Sequence, residues 1–370
     1  MRKNSDLRAM QWSAVPHEDK VKTEWSALCK GQLPHALLWV GPEGIGKTAA
    51  AWMVTKALLC QESDSIDPCG RCQNCQLMDR IEHPNLLFIP PLPNDIPIEE
   101  GVQTLRIHLR ENPFLSLSEW EAILAGLRSK PSENKSALVS PKGISGRVNL
   151  SIGVEAARRL QSALSLSIPK DSWRIVWFWH AEMLTRQAAN ALLKVVEEPP
   201  AQTIFIFTSA RLETLPVTLR SRCHIWRFPP LSKDKIEALA GESVGNLRYF
   251  LSQGSYNRFQ RLKEPSFESY IQALQGWLRS LSQENNDPAP YIEELLKAPQ
   301  LSEILSMGAI LIREHPKLTP LQKAIGMDTL LRIADEIELN LQPAILLWEA
   351  TLYLRRRWQH PQFEWEWISA

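Results

Sequence analysis

No apolar run in this chain approaches the roughly 18 residues needed to cross a bilayer. The opening segment, MRKNSDLRAMQWSAVPHEDK, holds no apolar core of the kind a secretory leader requires. Neither secretion nor membrane insertion is expected, and a cytoplasmic location is. An excess of one charge is also missing: 42 Lys and Arg stand against 41 Asp and Glu, a formal net charge of +1. A free-standing nucleic-acid binder carries a basic excess, because phosphate neutralisation drives its affinity. Any DNA contact is therefore expected to be local or shared with other subunits. No internal repeat is apparent.

What is present suits two or three domains. The 370 residues are too many for one compact core. Hydrophobic residues at 44% and charged residues at 22% match ordinary globular usage, so general disorder is not expected. A helix is expected within the first 35 residues or so. LPHALLWVG then reads as a strand, GPEGIGKT as a glycine loop and AAAWMVTKALLC as a helix. HPNLLFIPPLP is a strand stopped by prolines. Residues 94–153 read as an insertion, with amphipathic segments at Gly101–Arg110 and Leu117–Leu127 and a polar middle at Ser129–Gly146. A solvated elaboration is the expected role for it. A helix around Val154–Leu166, the buried strand RIVWFW, the helix RQAANALLKVVEE ended by Pro199-Pro200, and the strand TIFIFTS follow. Alternating strands and helices of this kind indicate a parallel sheet covered on both faces. Beyond Pro229-Pro230 strand-like runs disappear and helical patterns dominate. Boundaries are placed near Phe228 and around 263–267, giving units 1–228, 229–263 and 264–370.

Gly41-Pro-Glu-Gly44-Ile-Gly46-Lys47-Thr48 fits G-x-x-x-x-G-K-[ST] in full, between a strand and a helix as the pattern requires. Gly41, Gly44 and Gly46 would let backbone N–H groups approach phosphate oxygens. Lys47 would reach the β and γ phosphates, and the Thr48 hydroxyl would ligate Mg2+. Hydrolysis needs more: an Asp at the end of a second strand to hold the metal, and a neighbouring Glu to orient water. In the matching strand those positions carry Trp179 and His180. An indole can neither ligate Mg2+ nor act as a base. Glu182 is the nearest carboxylate, two residues on. The pattern therefore predicts a site that could hold ATP with Mg2+ and not hydrolyse it.

Cys60, Cys69, Cys72 and Cys75 are four of six cysteines and fall within one short stretch, 60–75. In a reducing cytosol such clustering favours metal over disulfide. Four thiolates fill the tetrahedral shell of one Zn2+ and leave no open position, which predicts a structural site. Cys29 and Cys223 have no metal-like neighbours in sequence. The tryptophans of strand-like runs, Trp177, Trp179 and Trp226, read as core. Arg222, in Ser221-Arg222-Cys223, follows the TIFIFTS strand and a loop. An arginine placed there can reach a neighbouring subunit's γ-phosphate, which in other systems raises rates by several orders of magnitude.

HALLWVGPEGIGKT, the four-cysteine spacing, AANALLKVVEEPP and LRSRC, in that order, resemble bacterial DNA polymerase III clamp-loader subunits over roughly residues 31–230. Within that family the missing acids and the segment His83-Pro84-Asn85 resemble the delta-prime branch. The gamma/tau ATPases share the cysteines and the SRC motif but keep the acids. The resemblance implies an α/β AAA+ P-loop module of RecA-like parallel-sheet type with a zinc knuckle, a small helical lid and an all-α C-terminal collar. It also implies a hetero-oligomeric ring with gamma/tau and delta subunits that loads a sliding clamp on primed DNA. In it Arg222 would act in trans on a gamma/tau site. The lid reads as shortened over 232–252, where Arg248 occupies the place of a sensor arginine. Two other readings stay open: a gamma/tau-type ATPase using Glu182, and a zinc-knuckle relative that binds DNA by itself.

Overall fold

Five short runs of branched and aromatic residues form one all-parallel sheet in the first part of the chain. The computed structural model describes residues 10–31, 33–62, 66–128, 149–169, 172–281, 286–298, 300–339 and 341–358. It divides into two compact units, Met1–Leu231 and Ser232–Ala370. In the first unit the chain runs α1 (Glu18–Lys30), β1 (Ala36–Val40), α2 (Lys47–Leu59), α3 (Gln73–Asp79), β2 (Leu86–Ile89), α4 (Ile98–Glu111) and α5 (Leu117–Arg128). It continues through α6 (Val154–Leu164), β3 (Arg174–Phe178), α7 (Arg186–Glu197), β4 (Thr203–Ser209), α8 (Val217–Arg220) and β5 (His224–Arg227).

The strand order is β2-β3-β4-β1-β5. Every residue of β1, β3 and β4 is buried, as expected for central strands covered on both faces. On one face Leu38, Val176, Phe178, Phe205 and Phe207 pack against Ala157 and Leu160 of α6 and Ala188, Leu192 and Val196 of α7. Phe178 and Phe207 stack with ring centroids 4.8 Å apart. The Thr185 hydroxyl caps α7 by accepting from Ala188 N, and the helix ends before Pro199.

The described residues of the 94–153 insertion depart from the expected solvated elaboration. The chain leaves the sheet at Leu92 and returns at Ser151 beside it: Leu92 N donates to Ser151 O at 3.0 Å and Ser151 N to Leu92 O at 3.2 Å. Between them α4 and α5 bury Leu105, Leu109, Trp120 and Leu124 completely. The physical reason is the apolar stripe on each helix, which needs a partner and finds it on the sheet unit. Trp120 is tied down by its indole N–H, donated to Pro91 O at 2.9 Å. The polar stretch 129–146 lies outside the described residues.

The second unit is helical: α9 (Lys233–Ala240), α10 (Asn246–Ser252), α11 (Tyr256–Arg261), α12 (Pro265–Ser280), α13 (Ala289–Leu295), α14 (Leu301–Glu314), α15 (Pro320–Glu338) and α16 (Pro343–Arg357). One core holds Leu251 and Leu262 together with Trp277, Ile304, Leu330 and Leu347. The segments expected as lid and collar thus share apolar contacts. Thr319 and Gln322 close a capping box at the start of α15. No helix among the described residues is long and apolar enough to cross a membrane.

Candidate functional sites: phosphate loop, cysteine cluster and an arginine at the sheet edge

The turn from β1 into α2 has the backbone that its glycines predict. Gly46 caps α2 at φ 98°, and a Cβ there would strike Pro16 at 2.5 Å. Lys47 and Thr48 open α2. Lys47 is buried, and its ammonium donates to Gly41 O and Pro42 O, each at 2.6 Å. Burial pulls its pKa down to about 8, against the raising effect of Glu43 and Glu182.

Trp179 follows β3 directly and has no solvent exposure. Its backbone N–H donates to Ile89 O at 3.0 Å. Its indole Nε1–H donates to Thr48 Oγ1 at 3.1 Å, so the side chain in the acid's place meets the hydroxyl expected to bind metal. His180 adopts the left-handed conformation, φ 55°. Its Nδ1 lies 2.9 Å from Glu182 Oε1, which also accepts from Ala210 N at 3.1 Å. Burial would raise the Glu182 pKa, but the bond and charge of His180 with the Ala210 N–H outweigh it and hold the carboxyl at about 2. Glu182 is therefore held as an anion through Oε1, while its Oε2 is buried without a hydrogen-bond partner, and its ligand atom lies within 4.8 Å of those of Glu43 and His180.

Sequence reasoning missed the residues that cover this loop. Pro113, Phe114 and Leu115, from the turn between α4 and α5, line what is left of the mouth together with Gly44, Gly46, Lys47, Thr48 and Trp179. The cavity is about 20 Å3, room for about one water, whereas ligand pockets usually run to roughly 300–1,000 Å3. The only signal was Trp179 itself: a buried indole N–H must find an acceptor. A larger groove, about 590 Å3, lies along the β2 edge, lined by Ile96, Arg106, Ile152 and Leu160, among others, away from the loop.

The cysteines converge as predicted. Cys60 Sγ lies 3.9 Å from Cys72 Sγ and Cys69 Sγ lies 4.0 Å from Cys75 Sγ, with all four sulfurs within 4.8 Å of one another. Four thiolates about 2.3 Å from one tetrahedral ion stand about 3.8 Å apart, so the donor set fits zinc. Backbone N–H groups back the sulfurs: Cys69 N donates to Cys60 Sγ at 3.3 Å and Cys75 N to Cys72 Sγ at 3.4 Å. Burial opposes ionisation of Cys72, yet such bonds bring its pKa down to about 7. The cluster is braced on α2, where Trp52 Nε1 donates to Met78 O at 2.7 Å and Lys56 Nζ pairs with Asp79 at 2.6 Å. Cys223 stands apart, its thiol pushed up to about 12 by burial.

Arg222 lies between α8 and β5. Glu197 Oε2 accepts from its Nε at 3.1 Å and its Nη2 at 2.9 Å, and Thr218 O accepts from Nη1 at 2.9 Å. Its side chain keeps 30% of its exposure. His224 pairs with Leu37, so Arg222 sits at the N-terminal end of the sheet. The chain's own loop begins at Gly41, about 13 Å further along the strand direction. Arg248, in the second unit, lies 3.5 Å from Glu268. His83 Nδ1 accepts from Asn85 N at 3.1 Å at the entry to β2.

A family model described as "DNA polymerase III, delta subunit" matches residues 17–232, more than half of the chain. The chain is 29% identical over 215 residues to DNA polymerase III subunit delta-prime of Escherichia coli (strain K12), covering 58% of this chain and 47% of that protein. It is 30% identical over 196 residues to the delta-prime subunit of Yersinia pestis, covering 53% and 42%. The gamma/tau subunit of Mycobacterium tuberculosis (strain ATCC 25618 / H37Rv) is 27% identical over 213 residues, covering 58% and 27%. The chain thus spans less than half the length of the delta-prime proteins it matches.

Proposed function

Because the chain belongs to the DNA polymerase III delta-subunit family, we propose that it is a non-hydrolysing, delta-prime-like clamp-loader subunit that completes a neighbour's ATP site with Arg222. The observation that carries this reading is Trp179. It stands in the place of the metal-holding acid and donates its N–H to Thr48. The carboxylates that remain nearby, Glu43 and Glu182, gather on His180 rather than at the end of the strand: their ligand atoms and those of His180 lie within 4.8 Å of one another, and Glu182 Oε1 is bonded to His180 and Ala210. A metal-holding Asp and a water-orienting Glu at the strand end, where this chain has Trp179 and His180, supply the electrostatic and positioning terms that dominate phosphoryl transfer.

Arg222 supports action in trans because it lies at the end of the sheet away from its own loop, partly exposed and oriented by Glu197. The four cysteines act as a structural zinc knuckle that stiffens the start of the module. The helical unit is the collar. On α16, Ile345, Trp348 and Leu352 are 61%, 41% and 67% exposed and share one face at helical spacing, which supports burial against other subunits. The partners are gamma/tau and delta subunits, with the sliding clamp and primed DNA met within the complex, in the cytoplasm.

The test is ATP turnover by the purified, zinc-loaded chain. No turnover above background is expected. Hydrolysis that disappears in Lys47→Ala would establish the chain as an ATPase and end this reading.

A further inference from the structure

We propose that the turn between α4 and α5 is an internal occupant of the phosphate-loop mouth, and that this turn and Trp179 together exclude nucleoside triphosphates from an otherwise intact loop. The inference does not depend on Arg222 or on any partner subunit. It gives the inserted helices a role on the chain's own site.

Three sets of contacts lead there. The first is at Thr48. A hydroxyl that ligates Mg2+ places its oxygen about 2.0–2.1 Å from the ion. Here that oxygen accepts the Trp179 N–H, from a ring that has no exposure and meets Trp120 of α5 edge-on at 6.4 Å. The bond takes one of the two lone pairs that this hydroxyl could offer an ion, and the buried ring stands against it.

The second is at Lys47. Its ammonium turns back onto Gly41 O and Pro42 O, where the loop's own carbonyls take two of the three donors that it could offer a phosphate. The third is the turn itself, which is built and not merely draped. Phe114 N donates to Asn112 Oδ1 at 3.0 Å and Leu115 N to Asn112 O at 3.1 Å. Ser116 N donates to Glu119 Oε2 at 2.8 Å while Glu119 N donates to Ser116 Oγ at 3.3 Å, a capping box that fixes the entry to α5. Across the sequence, Leu117 N lies 3.4 Å from Glu43 Oε2 of the loop, and the Phe114 ring comes within 3.6 Å of the place a Cβ on Gly46 would take.

Phe114 and Leu115 are each 8% exposed. Admitting a triphosphate would uncover both, enough to weaken apparent affinity by at least about 100-fold relative to an open loop. Nothing in the loop's sequence opposes nucleotide. The exclusion comes from residues more than sixty positions away.

The experiment is binding of a fluorescent ATP analogue with Mg2+, followed by anisotropy on the full-length zinc-loaded chain. Wild-type protein is expected to show no saturable binding up to millimolar analogue. Phe114→Ser with Leu115→Ser opens the mouth without touching the sheet core, and is expected to bind at least about tenfold more tightly than wild type. The milder Phe114→Ala serves if the double variant does not fold. Hydrogen exchange on wild type provides a second readout: amides of residues 114–117 should keep their protection when ATP and Mg2+ are added. Micromolar binding by wild type would overturn the proposal. So would folded, opened variants that bind no better, or loss of protection in the turn on adding micromolar ATP.

Discussion

Around the four cysteines the sulfur atoms face one another at 3.9 and 4.0 Å with N–H donors behind them, a set of ligands oriented toward a common centre. Around the phosphate loop the polar atoms are oriented toward each other. Thr48 accepts from Trp179, Lys47 donates to the loop carbonyls, and Glu182 is bonded to His180 and Ala210. Both regions match their patterns residue for residue. The difference teaches that a pattern fixes a backbone, and that side chains from elsewhere decide whether the backbone still has room for its ligand.

The comparison breaks most severely if the cysteines are not a metal centre. Cys75→Ser is expected to remove bound zinc and cost more than about 4 kcal/mol, because loss of a structural metal is among the largest single-site effects. Metal content with a denaturant titration checks it. An unchanged midpoint in a zinc-free protein would place the two regions on the same footing.

A second test concerns the support behind the closed loop. Trp120 is fully buried, donates to Pro91 O at 2.9 Å and meets Trp179 at 6.4 Å. Trp120→Ala is expected to cost about 3–5 kcal/mol. A loss under 1 kcal/mol, read from urea unfolding, would mean that the inserted helices are ornament after all.

The smallest effect is a pH dependence. The Glu182 carboxyl sits at about 2 in the folded chain against a usual 4.5. Its stabilisation is therefore complete above about pH 4.5 and lost as pH falls toward 2. The stability margin of wild type over Glu182→Gln, on the order of a few kcal/mol at neutral pH, should shrink across that window. A margin independent of pH between 5 and 2.5 would show that the carboxylate is not the anion this geometry makes it.

Much of this was legible in the sequence, for local reasons. A strand, a glycine loop and a helix are written in consecutive residues, and the cysteine spacing carries its own geometry. The missing acids at Trp179 and His180 were equally plain. What the indole does instead was not, because its acceptor lies 131 residues away at Thr48. The turn at 112–116 was harder still. Leu117 and Glu43 meet across 74 residues, and no period or composition relates a Pro-Phe-Leu turn to a distant glycine loop. An amphipathic helix announces an apolar face, not what that face will cover. The same limit applies to the helical unit, where Leu251 and Leu262 enter one core with Trp277 and Ile304.

The most direct measurement of the whole account is a crossed pair of substitutions in this chain within a reconstituted clamp loader, compared at equal composition. Arg222→Ala should slow ATP hydrolysis at the neighbouring site by roughly 1,000-fold or more, seen as loss of that site's share of turnover. Lys47→Ala in the same assembly should leave hydrolysis unchanged. The opposite pattern, with Lys47→Ala slowing turnover and Arg222→Ala without effect, would contradict it.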